Sequence, residues 1–359
     1  MAERIIGGPS LKLGRKRIRK RLPRFESVFM PSNHPLILFY TTFFGKPVDI
    51  SAIPACAVPV EWTNDRRRLA EAAAVVFHLP DYREIGDARK YPGQTWVAWS
   101  MENPQNYPRA AAPGFMRHFD LTMTHESGSD IWTPYLQEAS WWEAIRNSAI
   151  PSKTESAPVV RFQSASIDLS GRGAFAAELA GHIGVDSYGR YRPTRQIEGP
   201  DLGSRTKIET IGRYHFCLAL ENSIAPDYVT EKIFDPLCAG SVPVYLGAPN
   251  VGEFVPANSY IDATAFGTAA ELAAYLRHLL ETPQAYETYF AWRSQPLPGP
   301  LASRLALLET PAKCRLAERV HQRLQQGQGL SVGRPTLPFG GLSFLRTRLR
   351  RWRKAHRRR

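Results

Sequence analysis

At 359 residues the chain exceeds the size at which one hydrophobic core keeps growing, so two domains are expected; 43% hydrophobic and 11% aromatic residues exclude a disordered chain. The formal charge of +13 is concentrated at the ends: residues 1–24 hold nine Lys/Arg and one Glu, and residues 344–359 hold nine and no acid, so removing +8 and +9 leaves the body at −4. A mildly acidic body offers no continuous basic groove, so no nucleic-acid partner is expected.

In chain order, PLILFYTTFF reads as a first strand, too short and interrupted to span a bilayer. RRRLAEAAAVVFHL reads as a helix running into a second strand. QTWVAWSMEN and FDLTMTHES each read as a strand ending in a loop, and WWEAIRNSA as a helix. Within it, Trp141 and Trp142 suit core packing, ahead of a stacking platform for a ligand. The proline-containing polar stretch IPSKTESAP at 150–158 marks a domain boundary. VVRFQSASI is then a strand, RGAFAAELAGHIG a helix ending at Gly184, and YHFCLAL, SVPVYLG and SYIDA are strands, with helices over 230–239 and 268–281. Alternating strands and helices imply parallel sheets. The expected fold class is therefore α/β, with two Rossmann-like domains facing a cleft. A basic arm covers 1–34, the first domain 35–150, the second 151–325, and a linker with a basic tail 326–359.

Neither GxGxxG nor a P-loop occurs, which removes support for a dinucleotide dehydrogenase or a P-loop kinase. Cys56, Cys217, Cys238 and Cys314 form no CxxC or Cys/His cluster. A zinc site is not expected; two disulfides would be unusual in a cytosolic enzyme, and Cys217 and Cys238 read as small buried hydrophobes. The N-terminus has no apolar h-region or cleavage site, so the chain is expected to stay where it is made. In the tail, Leu342, Leu345, Leu349, Trp352 and His356 recur at 3,4,3,4 spacing among arginines. That stripe suits a helix lying on an anionic membrane surface through 344–359; the alternatives are a disordered basic tail or a nucleic-acid arm.

The stretch ENSIAPDYVTEK (221–232) joins two strand-like apolar runs with an unusual density of polar groups. Ligands of open parallel sheets bind at the carboxyl ends of strands, where this loop falls. Thr230 is a candidate N-cap, which puts Glu231 and Lys232 in the first turn of the next helix. Free N–H groups there favour an anion; Lys232 can meet a phosphate, and Glu231 can accept from the vicinal hydroxyls of a ribose. Helix decoration for Glu231 and a solvated charge for Lys232 fit the spacing equally well.

Residues 214–262, YHFCLALENSIAPDYVTEKIFDPLCAGSVPVYLGAPNVGEFVPANSYID, resemble the signature region of the α-1,3/1,4-fucosyltransferase family. QTWVAWSMENP (94–104) and FDLTMTHESGSDIWTPY (119–135) resemble two further blocks of it, and the similarity runs from about residue 35 to 290. The resemblance implies a two-domain glycosyltransferase fold of the GT-B type. It implies inverting transfer of L-fucose from GDP-β-L-fucose to a hydroxyl of an N-acetylglucosamine- or glucose-containing glycan. It places Asn222, Tyr228, Glu231 and Lys232 on the donor nucleotide and its phosphates, Arg172 on the pyrophosphate, Lys207 in a weaker guanosine element, and Glu102 as general base. A DxD sequence is absent from the whole chain, which agrees with a leaving group stabilised by Arg172 and Lys232 and with no required cofactor or metal.

Three departures stand out. Glu-Asn-Pro replaces Glu-Ser-Pro at Glu102. The loop from His125 to Asp130 lacks the Tyr-Arg that members often carry before an Asp-Ser-Asp block. Pro236 falls inside the helix opened by Thr230, where a kink is expected. The absence of an N-terminal span resembles bacterial members, which implies work at the cytoplasmic face of the inner membrane, on a lipid-linked or lipopolysaccharide-type glycan. Two alternatives remain at this point: the same fold using another nucleotide sugar, or a non-enzymatic protein binding through its basic arms.

Overall fold

The computed structural model describes residues 34–86 and 88–327. Residues 1–33 of the 1–34 arm and the tail that carries the 342–356 stripe lie outside them. The first sheet has six strands: β1 (Leu36–Phe39), β2 (Glu61–Thr63), β3 (Ala74–His78), β4 (Thr95–Ser100), β5 (Leu121–Thr124) and β6 (Ile131–Trp132). Their order is β2-β1-β3-β4-β5-β6, parallel throughout. A short α1 (Pro113–Met116) and α2 (Ala139–Asn147) complete this half. The second half runs β7 (Val159–Phe162), α3 (Arg172–Ala180), β8 (Val185–Tyr188), α4 (Ser204–Gly212), β9 (Phe216–Leu220), α5 (Glu231–Ala239), β10 (Val242–Leu246) and β11 (Ile261–Asp262). Its order is β11-β10-β9-β7-β8, again parallel. Helices α6 (Ala269–Glu281), α7 (Pro283–Glu287), α8 (Gly299–Ala306) and α9 (Ala312–Gln325) follow.

Parallel strands covered on both faces should be apolar on both, and they are. In β1, Ile37 and Phe39 enter one core cluster while Leu36 and Leu38 enter another. In the second half, α3 and α6 cover one face through Leu179, Leu272 and Leu276, and Ile211 of α4 packs on the other with Tyr214 and Cys217. The two halves share a further core: Trp132 and Trp142 pack with Phe234, Phe254 and Leu301. Trp142 is fully buried, edge-on to Phe234 and Trp292, which makes it a core residue.

Three local expectations are corrected. RRRLAEAAAVVFHL forms only a 3-10 turn at Arg66–Arg68 before β3, because from Ala72 on every side chain is buried and no polar face remains for a helix. Helix α3 stops at Ala180 with Gly181 as its cap, four residues short of Gly184, where a Cβ would already touch Ala157 and Pro158 at 3.4 Å. Helix α5 runs on through Pro236 to Ala239, closed by Gly240 at φ 69° with Ser241 N–H bonded to the Pro236 carbonyl at 2.9 Å.

The chain also doubles back. Helix α9 lies within 151–325 in sequence, yet Leu316, Ala317 and Val320 fill the core of the first sheet beside Ile37 and Val97. A disulfide joins Cys56 to Cys314 at that crossing, 258 residues apart, while Cys217 is free and buried and Cys238 is free and half-buried. The pairing of two distant cysteines carries no spacing signal, which is why the sequence reading left them apart.

Candidate active site

The site forms where carboxyl ends of strands from both sheets meet. Just past β4, the Glu102 N–H donates to Ser100 Oγ and the Ser100 hydroxyl donates to the Glu102 carbonyl, both at 3.1 Å, which turns the chain sharply and lifts the carboxylate off the sheet. Glu102 Oε2 accepts from Asn106 Nδ2 at 3.1 Å and from the Tyr228 hydroxyl at 3.2 Å. Asn106 Nδ2 also donates to Asn222 Oδ1 at 3.2 Å. A carboxylate of the first half is thus held by two residues of the 221–232 loop, one directly and one through Asn106. Tyr228 is buried, and burial together with the Glu102 charge raises its pKa far above the usual phenol value, so the hydroxyl stays a donor. Burial and Glu102 raise Tyr135 in the same way.

The loop after β9 is organised by Glu221, whose carboxylate is fully buried. It accepts from the Thr230 N–H at 2.8 Å and the Thr230 hydroxyl at 2.9 Å. Thr230 caps α5 by accepting from the Lys232 N–H. Lys232 Nζ lies 2.8 Å from Thr230 Oγ1, 3.1 Å from Glu221 Oε2 and 3.3 Å from Glu231 Oε1. Burial opposes the Lys232 charge, yet Glu221 and Glu231 outweigh it and hold the ammonium above its ordinary pKa. Burial likewise opposes ionisation of Glu231, and Lys232 with Lys207 keeps that carboxyl below its ordinary range. The Glu231 side chain remains 46% exposed and is free to meet a ligand.

Arg172 is buried, and its guanidinium donates to the carbonyls of Leu220, Ala165 and Ile167 at 3.2, 3.3 and 2.8 Å. It ties the loop after β7 to the end of β9, leaving only Nε without a partner. Lys207 instead pairs with Asp235 at 2.6 Å, on the flank of α5. The structure therefore brings Glu102, Asn222, Tyr228, Glu231 and Lys232 to one cluster, sets Arg172 behind it as a buried brace, and leaves Lys207 at its side. Among the described residues no group of three or more His, Cys, Asp or Glu side chains is placed to hold a metal.

Sequence reasoning missed Asn106, Asp227 and Glu221. Asn106 stands four residues past Glu102, a spacing that hints at one contact and says nothing of the second. Asp227 holds a positive φ of 63°, accepts from the Ser127 N–H and hydroxyl at 2.8 and 2.7 Å, and accepts from Asn250 Nδ2 at 2.9 Å. It ties the loop after β5 to the second half. On the first-half side, a cavity of about 490 Å³ opens beside Glu102, lined also by Asn103, Tyr107, Thr124, His125 and Ser129.

Two parallel-sheet halves whose strand-end loops meet over one carboxylate have the architecture of two-domain, GT-B-type glycosyltransferases. The fold is shared with a solved alpha1,3-fucosyltransferase with GDP-fucose, at a TM-score of 0.51 and 15% identity over 79% of this chain and 93% of that one. Residues 32–136 match the family described as Fucosyltransferase, N-terminal, and residues 150–331 match Glycosyltransferase family 10 (fucosyltransferase) C-term. The 4-galactosyl-N-acetylglucosaminide 3-alpha-L-fucosyltransferase of Homo sapiens is 33% identical over 305 residues, covering 80% of this chain and 81% of that protein. The 3-galactosyl-N-acetylglucosaminide 4-alpha-L-fucosyltransferase of Pan troglodytes is 35% identical over 274 residues, covering 72% and 70%. The chain belongs to glycosyltransferase family 10, the α-1,3/1,4-fucosyltransferases, as the signature over 214–262 led us to expect.

Proposed function

We propose that the enzyme moves L-fucose from GDP-β-L-fucose to a hydroxyl of an N-acetylglucosamine or glucose unit of a glycan, in α-1,3 or α-1,4 linkage, with inversion at the anomeric carbon. The observation that carries this reading is Glu102, which borders the cavity and accepts a hydrogen bond from Tyr228 of the 221–232 loop. The names of the relatives support it, since they describe fucose transfer to galactosyl-N-acetylglucosaminides. In the proposed step the acceptor oxygen forms its bond to the anomeric carbon while the bond from that carbon to the β-phosphate oxygen breaks. The hydroxyl proton passes to Glu102, and GDP leaves with the electron pair. A sugar hydroxyl is a weak acid, so a carboxylate must take the proton as the bond forms. Lys232 meets the charge growing on the diphosphate, with Asn222 and Glu231 on the nucleotide. Arg172, committed to three carbonyls, shapes the loop and adds its charge from behind. The step includes no metal.

Transfer by wild type and Glu102→Gln, with GDP-fucose, GDP-mannose and UDP-N-acetylglucosamine as donors, tests the proposal. We expect transfer from GDP-fucose alone, unaffected by dialysis against a chelator. Glu102→Gln should lose roughly 10²- to 10⁴-fold in rate while calorimetric GDP binding is kept. Equal turnover by Glu102→Gln would remove the base, and preference for another donor would change the sugar.

For the tail we propose peripheral attachment to the cytoplasmic face of an anionic membrane. Removing 344–359 should abolish cosedimentation with phosphatidylserine vesicles and leave transfer to a soluble acceptor unchanged. Equal cosedimentation by the shortened protein would reject it.

A further inference from the structure

Two buried side chains on the cavity wall carry polar atoms without protein partners. His125 and Asn103 are each 1% exposed, and both line the cavity beside Glu102. Neither ring nitrogen of His125 has a hydrogen-bond partner, and neither has Asn103 Nδ2. Both residues are nevertheless held in place. Asn103 Oδ1 accepts from the Gln105 N–H at 2.9 Å, which caps the 3-10 turn at Pro104–Asn106 and fixes its amide. The His125 carbonyl accepts from Trp132 Nε1 at 2.8 Å, and the His125 ring sits edge-on to Tyr228 with centroids 5.1 Å apart. Buried polar groups in folded proteins are normally paired, so fixed and unpaired ones beside a cavity call for a ligand.

We propose that His125 and Asn103 bind hydroxyls of the acceptor sugar, and that they and the carboxylates around them select a neutral sugar. The inference rests on the acceptor entering this cavity, as proposed above. A neutral imidazole offers one donor and one acceptor nitrogen, and the Asn103 amide adds a donor, a set that matches pyranose hydroxyls. Burial pushes the His125 pKa down to about 4, so the ring is uncharged near neutral pH. Among the described residues, the cavity wall carries two carboxylates, Glu102 and Glu126, and no lysine or arginine. A sulfate, phosphate or carboxylate on the sugar placed there would meet like charge with no cation to answer it. His125, Glu126, Gly128 and Ser129 of the loop after β5 supply this part of the wall.

The test uses the full chain, GDP-fucose, and 4-galactosyl-N-acetylglucosaminide as acceptor, with its monodeoxy analogues and its 6-sulfated form. His125→Phe keeps the ring and loses both nitrogens; Asn103→Asp keeps the cap to Gln105 and loses the donor. We expect each to raise the acceptor KM about 10- to 100-fold, leave GDP-fucose affinity within about twofold, and change kcat less than KM. His125→Gln should recover part of the loss. At least one monodeoxy acceptor that wild type uses poorly should suffer no further loss with His125→Phe. The 6-sulfated acceptor should be used at least about tenfold less well than the parent by wild type. An unchanged acceptor KM in both variants, or equal use of the sulfated form, overturns the inference. A wild type that transfers no fucose, or a Glu102→Gln enzyme of full activity, would instead count against the proposed function.

Discussion

His125 is neutral because its ring is buried and Asp227, the one charge that favours protonation, does not outweigh desolvation. Its folded pKa of about 4 lies below the ordinary 6.5, so the unfolded chain takes up the proton first as pH falls. The stability tied to the neutral ring is therefore complete above about pH 6.5 and is lost between 6.5 and 4, by about 3 kcal/mol at the acid end. Urea midpoints of wild type and His125→Phe at pH 7 and pH 4.5 check this: the variant should gain on wild type as the solution is acidified. A constant difference would mean that the ring titrates normally. Glu102 is positioned in another way, through the Asn106 amide and the Tyr228 hydroxyl, both donors with no charge of their own. Neutral donors orient a carboxylate without the strong pairing that an arginine would bring.

At the scale of elements, the proposed nucleotide side depends on the approach of two turns. Gly247 follows β10, and a Cβ on it would lie 2.3 Å from Tyr245 Oη and 2.6 Å from Glu221 Cγ, both fully buried. Gly247→Ala must push Glu221, which holds the Thr230 N–H and hydroxyl and pairs with Lys232. We expect a loss of about 1–3 kcal/mol in unfolding free energy together with weaker GDP binding, read by urea titration and calorimetry. A variant of lower stability with undiminished GDP affinity would show that the Glu221–Thr230 arrangement does not govern the nucleotide site. Helix α5 illustrates how context overrides a local rule. Its proline stands at the sixth position, but the carbonyl it cannot reach is that of Lys232 in the first turn, and Gly240 closes the far end through Pro236's own carbonyl.

Across the whole molecule, α9 returns from the end of the second half to the core of the first, and Cys56–Cys314 fastens it there. A link over 258 residues removes much freedom from the unfolded chain, so its loss should lower stability by roughly 2–5 kcal/mol. The expected readout is a lower urea midpoint for wild type in reductant, with Cys56→Ser already low and unmoved by reductant. Identical midpoints would mean that burial of Leu316, Ala317 and Val320 holds the helix without the bond. Such bonds persist in oxidising compartments, so counting reactive thiols in cell extracts, two if the bond stands and four if reduced, bears directly on the cytoplasmic placement proposed above. The shared core of Trp132, Trp142, Phe234 and Leu301, with the Asp227–Ser127 contact, ties the two halves on the side of the cleft.

By itself the sequence determined the class of fold, because strand and helix alternation and two-faced apolar strands follow from neighbours within a few residues. It determined the start of α5 as well: Thr230 as a cap with Glu231 and Lys232 behind it is a matter of consecutive residues and hydrogen-bond reach. The family resemblance singled out Glu102, Tyr228 and Asn222 one by one. Only the tertiary structure decided what these residues touch. The Asn106–Asn222, Ser127–Asp227 and Cys56–Cys314 contacts join positions 116, 100 and 258 residues apart. Such pairs have no period or spacing in the chain, since they exist only once two sheets have brought their strand ends together. The same holds for the burial that neutralises His125 and for the three carbonyls that claim Arg172. A side chain's charge state and its free hydrogen bonds depend on the packing around it, which local sequence does not contain.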